Sequence, residues 1–150
     1  MAFTPSNELI RMLKDYEAFS STTYLDVAGL QTIGYGHLIL EGEIFNEPIT
    51  MDFAHKLLIS DITRKAAPIL NRISVPLTQK QVDALVSFAY NVGVPASDSQ
   101  IIQAVNRKDH LHVPREMLSW INAGGKPRKG LVTRRLKEAV LYIEGINGNG

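Results

Sequence analysis

The sequence predicts an α+β fold in which helices dominate and one small β-hairpin lies near the N-terminus. Apolar residues recur at helical spacing through most of the 150 residues, and this periodicity gives way to a shorter pattern between residues 20 and 37. Capping residues, glycines and prolines divide the helical part into segments. A chain of this length can bury a core without disulfide bonds, so we expect a single domain over residues 1–150.

The composition excludes several classes of function. The absence of cysteine removes disulfides, thiol nucleophiles and cysteine-bound metals. The net charge is only +1, which gives no support for a nucleic-acid partner. Residues 126–137 contain a cluster of basic residues and no acidic one. This cluster is either a solvated helix start or a patch that binds an anionic partner. No apolar stretch approaches the roughly 18 residues of a membrane span, and the N-terminus lacks a signal-peptide core. We therefore expect synthesis in the cytoplasm without stable membrane association.

The first helix and the hairpin follow from local signals. Thr4 is the predicted N-cap with Pro5 in the first turn, and the helix should end near Phe19. The segment Asp26–Gly29 is typical of a turn between two short strands, with Gly29 in the turn. Glycines at 34 and 36 indicate a close approach of the backbone to another group.

Three further segments have clear helix boundaries. A second helix should begin at Thr50, carry Phe53 inward and end or kink at Pro68, and it could link two lobes. Thr78 and Gln81 form a predicted capping box at the start of a third helix, which Gly93 ends. Its apolar stripe is Val82, Leu85, Val86 and Ala89.

The C-terminal third predicts three more helices. The first is capped within residues 97–100. The second begins at Pro114, includes the region around Trp120 and ends at residues 124–125. The last should run from about Leu131 to Glu144 and stop at Gly145. The residues expected to face inward from it are Leu136, Val140 and Ile143.

Chemistry is concentrated near the start of the chain, where Glu17 ends the first helix, Asp26 lies on the hairpin and Thr32 lies on its second strand. A carboxyl at a packed helix end is partly desolvated, whereas one on a hairpin stays solvated and ionised. Glycoside hydrolysis needs two carboxyls in such unlike environments. The spacing alone is also compatible with an ordinary helix-end glutamate and a turn-capping aspartate.

The longer motif resembles a known family. The string E-(8 residues)-D-(5 residues)-T followed by IGYGH is similar to the bacteriophage-type lysozymes, the endolysins of glycoside hydrolase family 24. Two later segments, VPLTQKQVDALVSFAYNVG and SWINAGGKPRKGLVTRRLKEAVLY, also resemble the family pattern. Together the three segments cover nearly the whole chain in the family's order.

The resemblance implies a muramidase without cofactor, acting on the β-1,4 bond between N-acetylmuramic acid and N-acetylglucosamine in peptidoglycan. No metal is expected, because His55, His110 and His112 show no spacing with carboxylates that suggests a zinc site. In the family pattern, Glu17 occupies the position of the catalytic acid, Asp26 that of the second catalytic carboxylate and Thr32 that of the accompanying hydroxyl. The implied fold is lysozyme-like, with a small hairpin lobe at about 14–60. A long helix joins it to a helical lobe at about 1–13 and 61–145.

Partners and further contacts are also expected, some of them from the resemblance. Glycan strands of peptidoglycan would be the substrate, a separate holin would release the protein from the host cytoplasm, and a monomer is the default state. His37, behind the hairpin, is expected to pair with Asp61 on the second helix. The expected substrate contacts are Leu38, Tyr90, Asn91 and Ser99.

One segment departs from the family pattern. Where relatives carry an aromatic residue, small residues and then Ser-Thr, this chain reads VPASDSQ, with Ala96 near the aromatic's place and Gln100 near the threonine's. This difference predicts an altered substrate-binding rim. Two alternatives to a hydrolase remain: a lytic transglycosylase, which Asp26 and Thr32 argue against, and a peptidoglycan-binding or virion structural protein, which Glu17 argues against.

Overall fold

The structure is a computed structural model that describes residues 3–93, 95–96 and 99–147. It confirms a mostly helical α+β architecture with small antiparallel sheets. The elements in chain order are α1 (Asn7–Tyr16), β1 (Ser20–Leu25), β2 (Gln31–Gly34), β3 (His37–Leu38), α2 (Met51–Leu70), α3 (Gln79–Val92), α4 (Gln100–Asn106), α5 (His112–Met117), β4 (Asn122–Ala123), β5 (Lys126–Pro127) and α6 (Lys129–Ile146).

The N-cap of helix α1 lies two residues after the predicted one, and the helix ends at Tyr16 instead of near Phe19. Ser6 is the N-cap, with extended backbone and a side chain that accepts a hydrogen bond from the Leu9 N–H. The prediction of Thr4 was wrong because Ser6 has the same capping chemistry and also donates to Asp83 Oδ2 at 2.6 Å. This bond joins the start of α1 to α3.

The predicted hairpin is confirmed as the first two strands of a three-stranded sheet in the order β1-β2-β3. Gly29 has φ +80° in the turn, a conformation that glycine adopts without strain. The third strand, only two residues long, was not predicted, since a pair of residues carries no periodicity. One face of the sheet packs against α2.

Helix α2 spans 20 residues and contacts β2, β3 and α3, so it joins the sheet to the helical part of the molecule. Thr50 caps it as predicted, accepting from the Phe53 N–H. Pro68 lies in its last turn, and the helix ends two residues later. Phe53 was expected to face inward but is exposed, because the buried face of the helix runs through Leu58 and Ile62.

Helix α3 lies at the centre of the core. The capping box between Thr78 and Gln81 is present, and Gly93 ends the helix with its N–H donating to the Ala89 carbonyl. The predicted stripe is buried, together with Phe88 and Tyr90. The most extensive helix packing in the molecule joins α3 to α6.

Helix α6 buries a different face from the predicted one. Leu136, Val140 and Ile143 are exposed, and Gly145 lies inside the helix instead of ending it. A Cβ at Gly145 would lie 2.6 Å from Thr78 Oγ1, so the glycine permits close packing against α3. The apolar stripe misled the prediction because the buried face carries charged residues: Arg134, Arg135 and Glu138.

The region around Trp120 also differs from its prediction. Helix α5 ends at Met117, with Pro114 in its first turn, and Trp120 follows it and packs edge-on against Phe88 with ring centroids 5.6 Å apart. The two glycines at 124 and 125 form the turn of a second hairpin, β4-β5. The predicted cap residues 97 and 98 lie outside the described residues. Within the described part of the chain, no helix has the length and hydrophobicity to cross a membrane.

Candidate active site

Glu17 lies at the C-terminal end of α1, where its N–H donates to the Leu13 carbonyl at 2.9 Å. Its side chain is partly buried and lies directly against the backbone of Gly36, which has φ +73°. A Cβ at position 36 would lie 2.5 Å from Glu17 Oε2 and 2.9 Å from its carboxyl carbon. The glycine in the hairpin segment therefore creates the space that the carboxyl occupies.

The environment of Glu17 favours its protonated form. Burial raises the pKa of the Glu17 carboxyl above its ordinary value, because the charged form loses hydration. The positive charges of Arg134 and Lys65 lower this pKa in part, and the negative charge of Asp26 raises it. The net shift is upward, so this carboxyl keeps its proton to higher pH than a solvated glutamate does.

Asp26 is held by the turn that it caps. Its Oδ1 accepts hydrogen bonds from the Ala28 and Leu30 N–H groups, both at 2.9 Å. The Asp26 N–H donates to the Leu30 carbonyl, and the Gly29 N–H donates to the Asp26 carbonyl. Oδ1 thus belongs to the turn, whereas Oδ2 has no hydrogen bond to any of the described residues. The carboxylate has a fixed position with one oxygen available.

Thr32 is linked to Asp26 through a shared residue. Its Oγ1 donates to the Leu30 carbonyl at 2.9 Å, the same carbonyl that accepts from the Asp26 N–H. Thr32 lies on the central strand and is buried. The register pairs Thr32 with Tyr24 on one side and with Leu38 on the other.

That register puts Tyr24, Thr32 and Leu38 in one row on the same face of the sheet, since directly paired residues share a face. The two flanking side chains are exposed, while Thr32 between them is covered. Burial raises the pKa of the Tyr24 phenol, and the charges of Glu17 and Asp26 raise it further. The phenol is therefore within electrostatic reach of both carboxyls.

His37 lies behind the sheet and contacts α2. Its Nδ1 is 2.8 Å from Asp61 Oδ2, and its Nε2 is 3.0 Å from Glu43 Oε1. The other Asp61 oxygen accepts from Arg64 at 2.9 Å. The structure thus brings together the two residues expected to pair, and they connect the hairpin region to the long helix.

The four residues expected to contact substrate have different environments. Leu38 is exposed at the sheet edge. Asn91 is exposed, and its Oδ1 accepts a short hydrogen bond from Arg135. Tyr90 is 5% exposed, under the ammonium of Lys65. Ser99 is buried and donates to the Ala96 carbonyl at 2.7 Å.

A buried charge network lies behind the site. Glu138 is fully buried, accepting from Arg134 at 3.3 Å, Arg135 at 2.5 Å and the Ser87 hydroxyl at 2.6 Å. The guanidinium of Arg134 also lies 4.3 Å from the Tyr16 ring centroid. Arg134 is thereby held near Glu17 without being exposed to solvent.

Tyr24 and Lys65 are two residues of the site's surroundings that the sequence analysis did not single out. For Tyr24 a signal existed: once Gly29 defines the turn, counting back along the hairpin pairs position 24 with Thr32. For Lys65 there was none, because its neighbours come from a helix that lies further along the chain.

A partly desolvated carboxyl at a helix end and a hairpin carboxylate that acts on it electrostatically are the two kinds of group that glycoside hydrolysis requires. Comparison with known proteins identifies the family. The Phage lysozyme family model matches residues 14–138, and the chain belongs to that family. Its class of enzyme is accordingly that of the phage endolysins, muramidase-type glycosidases.

Individual relatives agree. The chain is 36% identical to an endolysin of Bacillus phage B103 over 93% of this chain, but it spans only 54% of that protein's length. It is 32% identical to an endolysin of Acyrthosiphon pisum secondary endosymbiont phage 1, over 87% of this chain and 92% of that one. Among solved structures, an endolysin from Escherichia coli O157:H7 phage FAHEc1 is 31% identical, with a TM-score of 0.86 and 96% of each chain covered.

Proposed function

We propose that this chain hydrolyses the β-1,4 bond between N-acetylmuramic acid and N-acetylglucosamine in peptidoglycan and so lyses a bacterial host. The observation that carries the proposal is the pair of carboxyls in unlike environments. Glu17 is partly buried with a raised pKa, whereas Asp26 is anchored by two backbone N–H groups at the hairpin turn. Family membership supports the same reaction.

Glu17 is the general acid in this proposal. Because burial favours its protonated form, the carboxyl keeps its proton to higher pH than a solvated glutamate does and can deliver it to the glycosidic oxygen. Contact with Gly36 restricts the positions of the carboxyl, which keeps the proton aimed at one place.

Asp26 is the second carboxylate, and its Oδ2, which has no hydrogen bond to any described residue, is the atom that would face the water or the positive charge developing on the sugar. Thr32 is proposed to supply a hydroxyl beside it. The Thr32 hydroxyl already donates to the Leu30 carbonyl, so its lone pairs remain free to accept from a water. The shared Leu30 carbonyl keeps the two groups in a constant relation.

Four further residues are proposed as substrate contacts. Leu38 and Asn91 are exposed and suit direct contact with the sugars. Tyr90 and Ser99 are buried and would act by shaping the surface above them. A hairpin lobe at about 14–60 and a helical lobe at about 1–13 and 61–145 are proposed to form the two sides of the cleft.

The proposal is tested by mass spectrometry of muropeptides after purified peptidoglycan is treated with wild type or with Glu17→Gln. The substitution keeps size and removes the acidic proton. Reducing muramic-acid ends from wild type, lost about 10²-fold or more in the variant, are expected. Thr32→Val and Thr32→Ser give a matched pair, because only the serine keeps the hydroxyl.

Other products would contradict the proposal in distinct ways. Anhydro-muramic ends would assign the chain to the transglycosylases. Binding of the wall by wild type without any soluble product would instead assign it a binding or structural role in the virion.

Release and assembly belong to the same proposal. We infer that the protein accumulates in the host cytoplasm, reaches the wall through lesions made by a separate holin and acts as a monomer. Expression in a bacterial host with and without a co-expressed holin tests the route, since lysis without a holin would contradict it. Light scattering of the purified protein gives its mass, and a dimer would contradict the assembly.

A further inference from the structure

A pocket of about 480 Å³ opens between α2 and the end of α3. Its apolar walls include Ile69, Ala89 and Ala96, and the ring of Tyr90 also lines it. Two cations from α2, Arg64 and Lys65, are part of the lining. No acidic side chain lines the pocket within the described part of the chain, so its electrostatic character is positive.

Lys65 is a partly buried cation on which the carboxylates of Asp61 and Glu17 act electrostatically, and it forms no direct ion pair with any of the described carboxylates. Its Nζ lies 4.1 Å from the centroid of the Tyr90 ring. Arg64, by contrast, is paired with Asp61. Burial lowers the pKa of the Lys65 ammonium, which means that holding the charge there costs free energy. A bound anion would repay this cost.

One wall of the pocket is formed by a small residue, Ala96. Ala96 lies in the segment where the chain departs from the pattern of its family, near the place of an aromatic residue. Its N–H donates to the Gly93 carbonyl and its carbonyl accepts from Ser99, so the backbone there is held in position. An aromatic side chain at position 96 would project into the space that the pocket occupies.

We propose that this pocket binds a carboxylate carried on a small apolar group, with Lys65 as the anion contact and the walls at Ile69, Ala89 and Ala96 receiving the apolar part. The inference rests on the proposed function for the source of the ligand. In peptidoglycan, a carboxylate of this kind occurs on the lactyl group of unsubstituted muramic acid and on the attached peptide. The positive charge of Lys65, which lines the pocket, also lowers the pKa of the Glu17 carboxyl, so the pocket and the acid are coupled electrostatically.

The experiment is a calorimetric and NMR titration of the full chain carrying Glu17→Gln, which prevents turnover. Three probes separate the sources: N-acetylmuramic acid has a lactyl carboxylate, N-acetylmuramyl dipeptide has its carboxylate on the peptide, and chitotriose has none. We expect Lys65→Met to weaken binding of a carboxylated probe about tenfold and to leave chitotriose unchanged. Lys65→Arg should retain most of the affinity.

Ala96→Phe supplies an independent test, because it fills the pocket without altering charge. It should abolish binding of the carboxylated probe, provided that its melting curve matches that of its parent. If Ala96→Phe does not fold, the Lys65 pair still decides the matter. Equal affinity of Lys65→Met and its parent for both carboxylated probes, or no binding of either probe by the parent, would overturn the proposal.

Failure of this inference is distinguishable from failure of the proposed function. If wild type releases reducing ends but Lys65→Met binds every probe normally, the muramidase proposal stands and the pocket proposal is wrong. If wild type releases no soluble product, the muramidase proposal is wrong, whatever the titrations give.

Discussion

Glu17 and Gly36 are in direct contact, and a methyl group added at Gly36 would lie 2.5 Å from Glu17 Oε2. Real side chains do not approach so closely, so either the carboxyl or the hairpin backbone would have to move. The absence of a side chain at one position thus determines where the candidate acid lies.

Gly36→Ala is therefore expected to lower activity by about 10²-fold, since displacing a catalytic group by an ångström has an effect of that size. Gly29→Ala is the matched control: Gly29 has φ +80° against +73° for Gly36, but nothing lies within 4 Å of its added Cβ. Both variants should lose about 1 kcal/mol of stability from backbone strain. Equal activity losses in the two would contradict the contact argument.

Removal of Lys65 should move the alkaline limb of activity. Activity requires protonated Glu17 and is lost as pH rises through the Glu17 pKa. The positive charge of Lys65 lowers that pKa, so Lys65→Met raises it and shifts the limb to higher pH. Lys56→Met, an exposed position on the same helix, is the control. A pH–rate profile of kcat/KM measures the shift, and movement to lower pH would refute the assignment.

Glu17 should also make stability depend on pH. Its pKa is raised in the folded protein, so folding is favoured while the carboxyl is protonated, and that contribution is lost as pH rises through the folded pKa. Glu17→Gln removes this dependence. Urea unfolding of wild type and Glu17→Gln at several pH values measures this effect. The unfolding free energy of the variant should increase relative to that of wild type as pH rises. A constant difference would mean that the folded and unfolded pKa values agree.

Glu138→Gln should be strongly destabilising. The substitution leaves two buried guanidinium groups without their counterion, for which a loss of about 3–5 kcal/mol is typical. Glu144→Gln is the control on the same helix, because its pair with Lys80 is 3.6 Å long and half exposed. The control should change by less than about 1 kcal/mol. Denaturant unfolding measures both, and similar losses would contradict a structural role for the network.

Local signals in the sequence were sufficient for several elements. The capping box at Thr78 and Gln81 is present as predicted, because both partners lie within one helical turn and need no tertiary contact. The hairpin turn at Asp26–Gly29 is present for the same reason, since the aspartate bonds to N–H groups two and four residues away.

Helix α6 shows the limit of such reasoning. Its apolar stripe predicts an inward face at Leu136, Val140 and Ile143, yet these residues are exposed. The buried face is formed instead by Arg134, Arg135 and Glu138. These charges can be buried because Arg135 donates to Glu138, and both Arg134 and Glu138 bond to Ser87 on helix α3. Periodicity registers hydrophobicity but not the mutual neutralisation of charges that meet only in the folded chain.

By itself, therefore, the sequence determined the family, the mostly helical class and the order of the two carboxyls and the threonine along the chain, because these depend on residue types at short separations. Only the tertiary structure decided what surrounds them. The contact of Gly36 with Glu17, the position of Lys65 over Tyr90 and the pocket lined by Lys65 and Ala96 each join segments that are distant in sequence. Desolvation and close packing arise from those long-range approaches, and no local pattern encodes them.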